Sequence, residues 1–212
     1  MNKTKKIACL ALLCALAYIA VFIGKLIPIS IISFLQYDPK DVIVVIGGFI
    51  YGPLYAFFIS VVVSLLEMFT ISDTQIVGCI MNIVSTSAFA CVAAAVYRNN
   101  KCIKYAVLGL LAGSVSMTAT MLVWNYILTP LYMSVPRSEV VKMLLPIFLP
   151  FNLIKSLLNS SLTVIVYKPF VRILRKSGII NPGGEKGTVK VSLFIAAVFV
   201  IIMCIATVFI LK

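Results

Sequence analysis

The chain has 212 residues, of which 62% are hydrophobic and 11% charged, and its mean hydropathy is +1.15. Soluble domains run near half apolar and a quarter charged, so this excess excludes a single soluble globule and requires lipid around the chain. The formal net charge of +12 does not point to nucleic acid, because the basic residues gather at the ends of apolar runs instead of on a polar face.

Runs of about 20 apolar residues can cross a ~30 Å hydrocarbon core, and a chain that buries its backbone in lipid this way should be helical. A first span is expected over residues 7–29, behind the basic start Lys3, Lys5 and Lys6. A cleaved signal peptide would need an apolar core of only ~7–15 residues; this run is longer and more spans follow it. Residues 30–41, with Gln36, Tyr37, Asp38, Pro39, Lys40 and Asp41, read as an outer loop. The apolar stretch 42–69 is interrupted by Tyr51-Gly52-Pro53. That turn signal predicts a short second span at 42–50 and a third at 54–69.

Residues 70–74 form an outer turn before a fourth span at 75–97, and the basic loop 98–104, with Arg98, Lys101 and Lys104, brings the chain back inside. A fifth span is expected at 105–128, a second outer loop at 129–142, and a sixth span from Met143 to Pro169, followed by Arg172, Arg175 and Lys176. The fold class is thus an all-α integral membrane protein. Residues 1–176 make a six-helix membrane domain, 177–190 a hydrophilic linker with Lys186 and Lys190, and 191–212 an extra transmembrane helix, the seventh. Basic clusters mark cytoplasmic loops, which places the N-terminus inside and the C-terminus outside.

Polar groups inside the spans carry the functional signal. Asn152, Lys155, Ser156, Asn159 and Thr163 fall on one stripe of the sixth span at ~100° per residue. A lysine within a span costs at least ~2.5–3.5 kcal/mol, so Lys155 faces a cavity, snorkels to an interface or pairs with Glu67. Glu67 itself sits near the end of the third span, where water is also within reach. The fifth span ends in Trp124-Asn125-Tyr126, followed by Thr129; aromatics there suit an interfacial belt, and the amide of Asn125 presents both a donor and an acceptor. Amides, an ammonium and an aromatic plane suit a flat, neutral heteroaromatic ligand better than an ion. Ala11-xxx-Ala15 on the first span and Gly109-xxx-Gly113 on the fifth are small-xxx-small patterns that permit close helix approach.

The chain has no histidine, which removes Ser-His-Asp and Cys-His triads and histidine-ligated zinc. The six cysteines lie mostly inside apolar runs without a CxxC pair and read as small packing residues; no metal or cofactor is expected. An integral-membrane enzyme such as a lipid-modifying transferase needs an acid–base pair or activated nucleophile that these spans lack. A membrane scaffold would not need a buried lysine-and-asparagine stripe.

The segment Tyr37-Asp38-Pro39-Lys40-Asp41, the FIYGP turn at 49–53, WNYILTPLYM at 124–133 and PFNLIKS at 150–156 together resemble the riboflavin-binding S components of energy-coupling factor (ECF) transporters. The likeness extends over residues 7–176, and the WNY and PFNxxK pieces are the more specific to the riboflavin branch; thiamine, folate or another flavin is the alternative ligand. The resemblance implies a six-helix fold in the cell membrane that binds a vitamin near its outer face and works with a transmembrane T subunit and two cytoplasmic ATPases. The chain has no GxxxxGK[ST] loop, as suits a subunit that uses ATP hydrolysed elsewhere. By the same resemblance Asn125, Asn152 and Lys155 hold the ring; Trp124 or Tyr37 is expected to contribute an aromatic contact. Leu35, Gln36, Tyr37 and Asp38 close over it from the first loop, and Ala11 and Ala15 meet the T subunit. The seventh span departs from the family pattern.

Overall fold

The computed structural model describes residues 3–26, 30–32, 35–72, 74–176, 197–198 and 200–201. Its helices, in chain order, are α1 Lys3–Leu26, α2 Lys40–Tyr51, α3 Pro53–Thr70, α4 Gln75–Asn99, α5 Ile103–Met133, α6 Arg137–Met143 and α7 Leu149–Lys176. A π-helical turn, Leu144–Phe148, joins α6 to α7 in one rod. Between α1 and α2 a small antiparallel hairpin pairs β1 Ser30–Ile32 with β2 Leu35–Gln36.

Helices α1, α3, α4 and α5 and the α6–α7 rod are long and apolar enough to cross a membrane. The protein is a helical membrane bundle. The 12 residues of α2 rise only ~18 Å at 1.5 Å per residue, short of the ~30 Å core. This helix therefore starts inside the bundle, and Lys40 and Asp41 in its first turn are fully buried. It ends at Gly52, whose φ of 105° and ψ of 170° fall in a region that essentially only glycine adopts. Pro53 then opens α3, where its missing N–H costs nothing.

The apolar core joins Leu13 and Ala17 of α1 to Val44 and Val45 of α2, Ile59 and Val63 of α3, Phe89 and Ala93 of α4, and Leu110 and Met117 of α5. A methyl group added at Gly109 or Gly113 would lie 2.5 Å from the Ala93 carbonyl or 2.6 Å from that of Phe89. The glycine pair seats α5 directly on the α4 backbone. At the end of the bundle that holds the basic loops, Phe49 stacks on Tyr97 with centroids 4.4 Å apart, and Tyr167 meets Phe49 edge-on at 5.7 Å. A hydrogen bond between the Tyr97 and Tyr167 hydroxyls completes this tie of α2, α4 and α7.

Several expected boundaries move. The outer loop at 30–41 is in part the hairpin and in part the buried first turn of α2. The loop at 129–142 shrinks to residues 134–136, because α5 runs through Pro130 to Met133 and ends on Ser134 in the left-handed region, φ 53°. One proline removes a single backbone hydrogen bond, a loss that a well-packed long helix absorbs. The sixth span begins at Arg137, not near Met143, and its helix continues to Lys176. The linker at 177–190 and most of the seventh span lie outside the described residues. Ala197, Val198, Val200 and Ile201 are helical, and Val200 packs against Phe151 and Ile154 of α7.

Candidate functional site

At the end of the bundle away from the basic loops, a cavity of about 320 Å³ opens among the helices, within the ~300–1,000 Å³ range of small-molecule sites. Tyr37 and Asp38 reach it from the segment before α2, Asn82 and Ser85 from α4, Asn125 and Thr129 from α5, and Asn152 and Lys155 from α7. Met81, Met121, Tyr132, Phe148 and Phe151 give it apolar and aromatic walls.

The α7 side chains are positioned by the irregular turn above them. Pro146 lacks an N–H, and the π-helical turn accommodates it; Phe148 at the end of that turn lines the cavity. Asn152 Nδ2 donates to the carbonyl of Phe148 at 2.7 Å, while its Oδ1 is buried without a partner among the described residues. An unpaired buried acceptor costs ~1–3 kcal/mol. Asn152 is one of the residues lining the cavity, so a small side-chain shift would bring this oxygen to a ligand N–H. Asn125 Nδ2 donates to the Met121 carbonyl at 2.7 Å, and its Oδ1 accepts from the Thr129 hydroxyl at 3.1 Å, which holds the amide in one orientation. The Lys155 side chain is 7% exposed and its Nζ lies 3.9 Å from Asp41 Oδ2. That distance is an ion pair but no hydrogen bond, so the ammonium has protons to offer a ligand.

Beside the cavity runs a buried charge network. Lys40 Nζ stands 2.6 Å from Asp38 Oδ2 and 2.7 Å from Glu67 Oε2, and Asn82 donates to the same Glu67 oxygen at 3.0 Å. Asp41 accepts from the Thr86 hydroxyl at 2.6 Å and from Asn159 Nδ2 at 3.1 Å. The Tyr37 hydroxyl donates to Asn159 Oδ1 at 2.6 Å. The segment before α2 is thereby pinned to α3 through Lys40 and directly to α7. Burial pushes the Asp38 carboxyl up, but the Lys40 and Lys155 ammoniums and the hydrogen bonds from Lys40 outweigh it and hold the group below its ordinary range.

Of the expected site residues, Tyr37, Asp38, Asn125, Asn152 and Lys155 come together at the cavity. Leu35 and Gln36 form β2, and their side chains are outside the described part. Trp124 is half-buried and is not in the cavity wall; one residue from Asn125, it is turned ~100° away, and Tyr132, Phe148 and Phe151 supply the aromatic surface instead. The Lys155–Glu67 pairing does not form: Glu67, 8% exposed, pairs with Lys40, and Lys155 faces Asp41. Lys40, Asp41, Asn82 and Thr86 were not anticipated as site or network residues. The signal for the first two was the length of the second span, too short to cross and therefore forced to bury its polar start. Ala11 and Ala15 are exposed on α1, on the face away from Leu13 and Ala17.

A helical membrane bundle with a polar-lined cavity near one end, tethered to a hairpin segment, defines a membrane-embedded protein built to hold a small molecule. The family model described as ECF transporter, substrate-specific component, matches residues 5–167, and the chain belongs to that family. Relatives include the riboflavin transporter RibU of Staphylococcus aureus, 28% identical over 183 residues, with 83% of this chain and 95% of the relative covered. The riboflavin transporter RibU of Streptococcus thermophilus is 28% identical over 186 residues, with 83% and 87% covered. The riboflavin transporter FmnP of Bacillus subtilis is 26% identical over 190, with 84% and 99% covered. A solved S component of a bacterial ECF transporter superposes with a TM-score of 0.70 at 26% identity, covering 82% of this chain and 99% of the solved one. The family match stops at residue 167, before the linker and the last apolar run.

Proposed function

We propose that this chain captures riboflavin at the outer face of the cell membrane and delivers it as the S component of an ECF importer. The observation that carries the ligand assignment is the unpaired, buried Oδ1 of Asn152, a residue of the cavity wall together with Lys155. The pyrimidine end of a flavin alternates carbonyl acceptors with an N–H donor, so Asn152 accepts from the N–H and Lys155 donates to an adjacent oxygen or nitrogen. Asn125 lies on the facing helix, and Tyr132, Phe148 and Phe151 offer surfaces to the ring. Gln36 and Asp38 reach the ribityl hydroxyls, Tyr37 adds an aromatic contact, and Leu35 extends that closure. The names of the relatives, all riboflavin transporters, support the same ligand.

In this reading residues 1–176 are the substrate-binding domain, 177–190 a linker and 191–212 an accessory helix. The basic end and the N-terminus face the cytoplasm. The exposed alanine face of α1, with Ala11 and Ala15, docks a transmembrane T subunit, because small side chains let a partner helix approach closely. Two cytoplasmic ATPases supply the energy, and the chain itself performs no catalysis.

The test is riboflavin titration of the purified protein by quenching of flavin fluorescence. Losing one partner of a charge-assisted bond costs about 2–3 kcal/mol, or roughly 30- to 150-fold in affinity. Lys155→Met is expected in that range, with Asn152→Ala and Asn125→Ala at its lower end. If all three variants bind riboflavin within about threefold of wild type, or if the wild type ignores riboflavin and binds another vitamin, the assignment is wrong.

A further inference from the structure

A second concavity, of about 310 Å³, lies at the opposite end of the bundle, between the Gly52 turn and the end of α4. Its walls include Ile50, Leu54 and Ala94, and Arg98 and Lys101 stand on its rim. Both cations are exposed, and neither has an ion-pair partner among the described residues. The described carboxylates Asp38, Asp41, Glu67 and Glu139 all belong to the other end, at the start of α2, the end of α3 and in α6. Beside the concavity, Lys6 Nζ sits 3.9 Å from the ring centroid of Tyr55, another wall residue, which adds a third positive charge.

We propose that this concavity binds the headgroup of an anionic phospholipid, its phosphate held between Arg98 and Lys101. A guanidinium matches phosphate oxygens in two parallel hydrogen bonds, and an ammonium adds a point charge. A soluble phosphate would satisfy those cations but leave Ile50 and Leu54 facing water. A lipid covers them with its glycerol and first methylenes. Leu54 is 62% exposed and Phe58, one helical turn along α3, is 53% exposed. The concavity therefore opens beside the surface where acyl chains lie, and basic pockets at such boundaries suit acidic headgroups. The proposal is independent of the vitamin assignment.

Native mass spectrometry of the full chain, incubated with dioleoylphosphatidylglycerol or dioleoylphosphatidylcholine, tests it. Wild type should retain phosphatidylglycerol in preference to phosphatidylcholine. The Arg98→Gln/Lys101→Gln variant should bind phosphatidylglycerol about 30-fold less tightly, at roughly a tenfold or lesser loss for each charge near the surface. The Arg137→Gln/Lys142→Gln variant, altered at the opposite end, should match wild type. Equal retention by all three proteins, or equal loss in both variants, overturns the site. Glycerol 3-phosphate should fail to displace the lipid; displacement at a comparable concentration means a soluble phosphate site and overturns the lipid assignment. If Arg98→Gln/Lys101→Gln keeps its lipid but loses co-purifying transporter subunits, the rim is a protein contact and the proposal falls.

Discussion

Replacing Lys40 with methionine keeps the bulk of the stem and removes an ammonium that stands 2.6 Å from Asp38 and 2.7 Å from Glu67. Those carboxylate side chains are only 14% and 11% exposed, so water cannot take over as counter-charge. Deleting one partner of a buried ion pair costs ~3–5 kcal/mol. Glu67 keeps its hydrogen bond from Asn82 at 3.0 Å, and Asp38 keeps one from the backbone N–H of residue 40 at 3.1 Å. The expected cost is therefore at the lower end, about 3 kcal/mol, which for a chain of this size lowers the melting temperature by roughly 6–12 °C. Thermal unfolding of detergent-purified protein, followed through the fluorescence of the single tryptophan, measures it. Neutralising the orphan in Lys40→Met/Glu67→Gln should return a substantial part of the loss, since contacting residues are non-additive by ~0.5–3 kcal/mol. A Lys40→Met protein melting within about 1 °C of wild type, or a double variant whose loss is the plain sum of the singles, would refute the argument that this lysine pins the cavity-lining segment to α3.

Ala11→Trp or Ala15→Trp should abolish uptake and co-purification of the coupling subunits while leaving riboflavin affinity unchanged, as measured by pull-down and titration on one preparation. Loss of vitamin binding with the complex intact would instead assign that α1 face to internal packing. In a cysteine-free background, a membrane-impermeant thiol reagent applied to intact cells should label Arg137→Cys and miss Asn100→Cys; labelling at residue 100 reverses the proposed topology. Gly113→Val forces side-chain atoms toward a carbonyl that a methyl group would already approach to 2.6 Å. It should destabilise the bundle by ~1–3 kcal/mol through overpacking, and an unchanged melting curve would mean that α4 and α5 are not in backbone contact.

Part of the candidate site was legible from spacing, and Tyr37 and Asp38 only from the family resemblance. Asn152 and Lys155 are three residues apart on a helix, so their shared face follows from the 3.6-residue period, and Asn125 was conspicuous as an amide near the end of a span. Trp124 was not resolved this way, because neighbours in sequence point ~100° apart and only packing says which of them meets the cavity. Lys40 and Asp41 read as loop because two adjacent charges before an apolar run ordinarily mark a water boundary. Their burial depends on partners at positions 67, 82, 86, 155 and 159, separations that no local pattern encodes.

Composition, run length and charge placement by themselves determined a helical membrane protein, five of its seven expected spans and the separation of a basic end from a polar-lined end. Those features are additive along the chain: each apolar run must find lipid whatever its neighbours do. The tertiary structure alone decided which charges pair, which aromatic surfaces line the cavity and where α2 starts. Ion pairing in a poorly solvated interior is settled by distances between residues far apart in sequence, and those distances exist only once α2, α3, α4 and α7 have packed.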